Sequence, residues 1–346
     1  MDKQQYTEDP KVSSPYRAGY LASVQAYLDR MREESRCARD AFLPPDALAA
    51  DREGYRKSYM AMLGKPLCDY AEYRDIPVTL REDTLVGTDD TCEIRRLRLD
   101  VLDGFTMYGV LFLPLAGVQE TTPFLISQHG GDGTPELCSD FFGDTNYNHQ
   151  TRRVLARGSV VFAPQLLLWN ADVYGDGYDR QRMDAALKQV GSSITALEVF
   201  GIMRCLDYFV TQPYCNPAHI GMLGLSYGGF YTLMTAAADP RICAAYASCS
   251  FTDKLKHNWV DWTWKNSANT FLDAEIAALV APRAIAFDAG DNDPLFGSDG
   301  AKQEYARAKT YFEAMGVGDN IFLKAFDGVH ELDPADDGLE FLFAHL

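Results

Sequence analysis

His219-Ile-Gly-Met-Leu-Gly-Leu-Ser-Tyr-Gly-Gly-Phe-Tyr231 turns from an apolar, strand-like run into a small-residue, helix-like one at a single serine, Ser226. Within it, Gly224-Leu225-Ser226-Tyr227-Gly228 reads G-x-S-x-G, and the context carries more than the pattern. A serine at a sharp strand-to-helix turn is forced into strained backbone angles, so its hydroxyl projects from the sheet, while the glycines let strand and helix backbones approach closely. The new helix also aims its N-terminal amides at whatever reacts there. Ser226 is the candidate nucleophile; the plainer alternative is a Gly-rich turn that happens to carry a serine.

Outward from this turn, short apolar runs alternate with helical stretches, as in βα units of a mostly parallel sheet. The runs expected as strands are 124–128, 159–163, 220–225, 244–248, 284–288 and 321–326, with helices near 149–157, 193–210, 228–238, 272–280, 300–315 and 335–345. Upstream the grammar changes to alternation: Ile94, Leu97, Leu99 and Val101, then Phe105, Met107, Val110 and Phe112, parted by Asp103-Gly104. That is a β-hairpin, with the Asp-Gly pair supplying a positive-φ turn. Together these make eight strands with helices on both faces. Residues 16 to about 62 mix charged and apolar residues at helical spacing around Pro44-Pro45, so residues 1–84 are expected as an N-terminal helical extension and 85–346 as the main domain, with a small insertion at about 251–271.

A serine hydroxyl is a poor nucleophile at neutral pH and needs a positioned base, itself oriented by a carboxylate. His330, in the loop after the run 321–326, lies where such a base belongs; His257 is its rival, in the insertion. For the acid, the run 284–288 leads into Ala289-Gly-Asp-Asn-Asp-Pro-Leu-Phe296, where Asp293 closes a turn from Gly290 and precedes Pro294, which would fix the chain. Asp291 is the near alternative. Acyl transfer also needs rigid amides at the developing oxyanion. One should come from Tyr227; the other from His129-Gly130-Gly131-Asp132-Gly133, with Gly131 the first choice. His129 reads as an orienting or packed residue at the pocket. Trp259, Trp262 and Trp264, three of the four tryptophans, fall in the insertion, where Trp259 and Trp262 could wall a pocket or simply pack the insertion down; Trp169, after another strand, could line the same cleft.

Five segments resemble a known group: Gln128-His-Gly-Gly-Asp-Gly133, Gly224-Leu-Ser-Tyr-Gly-Gly229, Leu279-Val-Ala-Pro-Arg283, Gly290-Asp-Asn-Asp-Pro-Leu-Phe296 and Val329-His-Glu331. Together they look like the α/β-hydrolase superfamily, in the esterase branch of dienelactone-hydrolase-like and acetyl-xylan-esterase-like proteins. The resemblance covers about residues 85–346. It implies the α/β-hydrolase fold and hydrolysis of a carboxylic ester through a Ser-His-Asp triad and an acyl-enzyme, with deacetylation of an acetylated carbohydrate or another small ester as the substrate class. Acetyl xylan and cephalosporin-C deacetylases carry Arg-Gly-Gln in the oxyanion loop and Ser-Gln-Gly-Gly at the turn, where this chain has His129-Gly-Gly131 and Ser226-Tyr-Gly-Gly229. Dienelactone hydrolases use cysteine where this chain has Ser226.

Composition limits the rest. The chain has 346 residues, 47% of them hydrophobic and 23% charged, so a sizeable core can be buried. Lys and Arg number 32 against 49 Asp and Glu, a net charge of −17 spread along the chain, which argues against nucleic acid and anionic membrane as partners. The polar start Met1–Tyr6 has no apolar h-region and points to the cytoplasm. Eight cysteines without a CxxC pair read as free thiols. No cofactor or metal is called for: the acidic 171–179 loop reads as a solvated turn, and Asp291-Asn-Asp293 lacks a calcium-loop pattern. The N-terminal helices could cover the cleft or join copies in a homo-oligomer. Two other functions stand beside the esterase: an oligopeptidase-like serine hydrolase, for which some 85 residues ahead of the core are too few to form the usual propeller, and a non-catalytic ligand-binding relative, which would generally lack a member of the triad.

Overall fold

A computed structural model describes residues 4–257 and 259–346. Nine strands form one sheet in the order β1-β2-β3-β5-β4-β6-β7-β8-β9. They are β1 (Thr79–Thr88), β2 (Cys92–Leu102), β3 (Phe105–Pro114), β4 (Phe124–Gln128), β5 (Val160–Pro164), β6 (Ile220–Leu225), β7 (Ala244–Ser248), β8 (Ala284–Gly290) and β9 (Ile321–Phe326). Strands β1, β2 and β3 pair antiparallel, as do β3 and β5; β5, β4, β6, β7, β8 and β9 are parallel. The expected count of eight is corrected by β1. All but one of its residues are exposed, and two irregularities break its register with β2, so Thr79-Leu-Arg-Glu-Asp-Thr-Leu-Val-Gly-Thr88 shows no clean alternation. It also straddles position 84, where the extension was expected to end.

The pleat sends alternate residues to opposite faces, so Phe124 and Ile126 join one core while Leu125 joins the other. The first core is covered by the helices Ile194–Phe209, Tyr227–Ala238 and Ser298–Ala314, the second by Gln150–Leu155 and Asp337–Ala344. At the N-terminus, α1 (Ser14–Phe42), α2 (Pro45–Ala50) and α3 (Arg52–Leu63) lie outside the sheet, and Tyr59 and Leu63 of α3 complete the first core. The described residues of the insertion after β7 include three short 3-10 turns, Lys254–Lys256, Val260–Trp262 and Ser267–Asn269. No helix among the described residues is long and apolar enough to cross a membrane. Because β4, β6, β7, β8 and β9 run the same way, the loops leaving their C-terminal ends gather along one edge. In open α/β sheets that edge is where ligands bind.

Candidate active site

Ser226 sits between β6 and its helix with φ +60° and ψ −123°, a conformation an L-residue adopts only when its surroundings impose it. The surroundings are crowded. A Cβ on Gly224 would lie 2.5 Å from the Gly228 carbonyl, and one on Gly229 would lie 2.5 Å from the Ser248 carbonyl; one on Gly228 would collide with the Gln128 carbonyl. All three glycines are thus required by close approach. The Ser226 amide donates to the Ser248 carbonyl at 2.9 Å, tying the turn to the end of β7, and the side chain has no hydrogen-bond partner among the described residues.

One residue beyond Ser248, Cys249 packs against the other half of the site. Its sulfur, a ring nitrogen of His330 and a carboxylate oxygen of Asp293 lie within 4.8 Å of one another. His330 Nδ1 is 2.8 Å from Asp293 Oδ2, and the other carboxylate oxygen, Oδ1, accepts from the amides of Leu295 (2.8 Å) and Phe296 (3.3 Å). Burial works to raise the Asp293 carboxyl. The hydrogen bonds from His330, Leu295 and Phe296 outweigh it and hold the group below the usual carboxylate range. Asp291 faces elsewhere, bonded to Ser298 and 3.3 Å from Lys302 Nζ on the following helix. His257, the other candidate base, packs on Phe296 with ring centroids 5.0 Å apart.

The loop after β4 is held from both sides of Gly130. The Gly130 carbonyl accepts from His129 Nδ1 (2.9 Å), whose tautomer follows from the opposite ring nitrogen: Nε2 accepts the Leu166 amide at 3.0 Å, so the proton must be on Nδ1. The Gly130 amide donates to the Tyr147 hydroxyl at 2.6 Å. In a planar peptide the C=O and the next N–H point in opposite directions, so anchoring the Gly130 carbonyl aims the Gly131 amide the other way. Neither that amide nor the Tyr227 amide has a partner among the described residues. His129 itself is fully buried, which pushes its imidazole down to about 4 and keeps it neutral; its ring serves the backbone, not open space.

Three further groups had no place in the sequence reading. Asn146-Tyr147-Asn148 straps the Gly130 loop to the His330 loop: besides Tyr147 on Gly130, Asn146 Nδ2 donates to the His330 carbonyl (3.1 Å) and Asn148 Nδ2 to the Leu332 carbonyl (2.6 Å). Asp288, at the end of β8, accepts the amides of Cys249 (3.1 Å) and Asp333 (3.2 Å), and burial raises its carboxyl to about 6. Arg180 forms the third. Its guanidinium reaches Asp261 (2.7 Å), Glu198 (3.0 Å), the Tyr231 hydroxyl (2.6 Å) and the Leu167 carbonyl (2.7 Å), while the Tyr227 hydroxyl donates to Asp261 at 3.0 Å. A glutamate at 198, on a helix otherwise apolar around it, was the one signal that a buried cation had to face it.

The tryptophans divide. Trp259 stacks on the Tyr227 ring (centroids 5.6 Å apart, 15° between planes) and is half-buried. Trp262 is 2% exposed, sandwiched by Phe230 at 4.7 Å and Phe296 at 5.6 Å, so it packs the insertion onto the core. Trp169 is paired with Asp132 in an isolated parallel bridge beside the Gly131 loop, packs at a tilt on Tyr178 with centroids 4.4 Å apart, and lines a mostly apolar cavity of about 250 Å³ with Met107, Tyr108, Leu166 and Leu167.

A strained serine between a parallel strand and a helix, with a His–Asp pair on later strand ends, decides the architecture. The fold is that of an α/β-hydrolase. Residues 193–275, the span from the helix before β6 into the helix Asp273–Ala278 that follows the insertion, match the family described as the Prolyl oligopeptidase family. The chain is 26% identical over 288 residues to "Putative hydrolase YtaP" of Bacillus subtilis (strain 168), covering 76% of this chain and 89% of that protein. Among solved structures the hydrolase fold superposes on Methylesterase BT1017 with a TM-score of 0.67 at 17% identity, over 92% of this chain and 68% of that one. It superposes on Acetyl Xylan Esterase 1 from Thermoanaerobacterium sp. JW/SL YS485 with a TM-score of 0.56 at 15% identity, over 85% and 93%.

Proposed function

We propose that this protein hydrolyses carboxylic esters through an acyl-enzyme on Ser226. Ser226 Oγ attacks the ester carbonyl while His330 Nε2 takes its proton; Asp293 holds Nδ1–H and stabilises the imidazolium that forms. The amides of Tyr227 and Gly131 bind the oxyanion. His330 then returns the proton to the departing alcohol, and in the second half it activates water to release the acid. The observation that supports this most directly is the 2.8 Å His330–Asp293 pair, joined through Cys249 and Ser248 to a serine at φ +60°. The absence of a bond from Ser226 Oγ to the imidazole is ordinary for a site without substrate.

The substrate class we favour is a short-acyl ester, including acetylated carbohydrate, as the names of the superposed esterases suggest. Trp259 over Tyr227 supplies an aromatic face suited to a sugar ring or an apolar alcohol. All eight cysteines are unpaired, which supports the reducing cytoplasm as the compartment. A fluorophosphonate probe should label the wild-type chain, and p-nitrophenyl acetate and acetylated xylo-oligosaccharides should be turned over. Ser226→Ala should abolish both with thermal unfolding unchanged; full activity in that variant sinks the proposal. The Prolyl oligopeptidase match favours a second reading, peptide hydrolysis. Peptidyl p-nitroanilides in the same panel separate the two: turnover of these above the esters selects the second.

A further inference from the structure

The N-terminal helix α1 carries an apolar face that no described residue covers. Every residue from Ser14 to Met31 is exposed, a projection about 27 Å long at 1.5 Å per residue. Only the far end is rooted, by Arg39 on Glu275 (3.3 Å), Asp40 on Arg307 (2.7 Å) and the Leu43 carbonyl on the Tyr311 hydroxyl (2.9 Å). On the projecting part, Tyr16, Tyr20, Leu21, Val24, Tyr27, Leu28 and Met31 are 80, 73, 69, 46, 55, 40 and 48% exposed. At 3.6 residues per turn all seven fall within an arc of about 140°, and the opposite face holds Ala18, Ala22, Gln25, Ala26, Asp29, Arg30 and Glu33. An amphipathic helix normally turns such a face onto its own domain; this one turns it to water.

We infer that α1 pairs antiparallel with α1 of a second copy of this chain, so that the protein is a homodimer. Three features select that occupant. Leu21, Val24, Leu28 and Met31 are spaced 3-4-3, the a/d seam of a two-helix coiled coil, and Tyr20 and Tyr27 flank it. The seam is closed by Arg17 at one end and followed by Glu34 at the other, so the antiparallel arrangement brings Arg17 of each copy to Glu34 of the other, whereas a parallel one sets like charges together. The area suffices: with large side chains offering roughly 200 Å² each, the seven expose about 800 Å² per copy, near the ~800 Å² per partner of a standard stable interface. A membrane surface fits less well. The polar face carries two acids, Asp29 and Glu33, against one base, Arg30, and no lysine, and the chain carries a net charge of −17.

The experiment reads mass and does not depend on the ester-hydrolase reading. Sedimentation velocity across about 1–100 μM should give a dimer for the wild-type chain. Val24→Asp/Leu28→Asp, with both positions exposed, should give a monomer that still unfolds in one cooperative transition, now independent of concentration, and Tyr20→Glu/Tyr27→Glu should do the same. A wild-type monomer throughout that range overturns the inference, as does a dimer that persists in both double variants. Co-sedimentation of a monomeric wild-type chain with phosphatidylglycerol vesicles, lost in the variants, would assign the face to a membrane instead.

Discussion

Removing a single hydroxyl that takes no part in the proposed chemistry should cost this protein most of its turnover. Tyr147→Phe keeps the ring, which is 3% exposed, but deletes the only acceptor of the Gly130 amide among the described residues, at 2.6 Å. Gly130 is buried and its Cα is pressed against Ser226, since a Cβ there would lie 3.2 Å from Ser226 Cβ, so water cannot easily replace the lost acceptor. A buried donor left unpaired costs about 1–3 kcal/mol. The loop relieves that cost by rotating the peptide, and the rotation carries the Gly131 amide with it. Losing one oxyanion donor outright lowers kcat by about 10²–10³; partial displacement should lower it by roughly 10–100-fold, with KM within about twofold because substrate grips elsewhere. Steady-state hydrolysis of p-nitrophenyl acetate, with urea unfolding alongside, checks both halves. If Tyr147→Phe keeps wild-type kcat while losing stability, the hydroxyl only supports the fold and the argument from Gly130 to the oxyanion fails.

Other outcomes follow from the same geometry. Asp293→Asn should lower kcat by about 10⁴, because an amide cannot hold the imidazole tautomer or its positive charge, while Asp291→Asn, bonded to Ser298 and Lys302, should change it by less than about threefold; equal losses in the two would move the acid's role away from Asp293. His129 should make the protein acid-sensitive. The unfolded imidazole takes a proton near 6.5 and the folded one only near 4, so the unfolded state binds more protons between these values and stability falls as pH drops through them. The full loss is about 3 kcal/mol at 1.36 kcal/mol per pH unit, and urea unfolding of His129→Asn from pH 7 to 4 should show a shallower decline than the wild-type chain.

The parts of the molecule legible in the sequence were those where a local pattern and its chemistry coincide. The β6 run, the glycines and Ser226 form one continuous signal because strand, turn and helix are adjacent in the chain. The hairpin of β2 and β3 announces itself by alternation and Asp103-Gly104. Strand β1 does not, because an exposed edge strand needs no apolar face. The contact of Asp293 with His330 spans 37 residues and depends on two loops meeting, which spacing alone suggests without choosing between Asp291 and Asp293. Tyr147 was invisible for a related reason: a tyrosine in an ordinary loop carries no mark of the glycine amide it faces. Arg180 carries no mark in the sequence, and only the buried Glu198 and Asp261 reveal what holds it.

That arginine has a consequence for how substrate enters and leaves. One guanidinium grips the loop behind Trp169 through Leu167, the helix behind the sheet through Glu198, and the insertion carrying Trp259 through Asp261. Swinging the insertion outward would strand a charge cluster with Arg180 12%, Glu198 4% and Asp261 3% exposed at the side chain, so both walls of the cleft are fixed to the same rivet. The two walls are therefore tied together at one width. Under the proposed ester hydrolysis, selection rests on which alcohols fit that slot, and changing the preference calls for altering the side chains along it, not loosening a hinge.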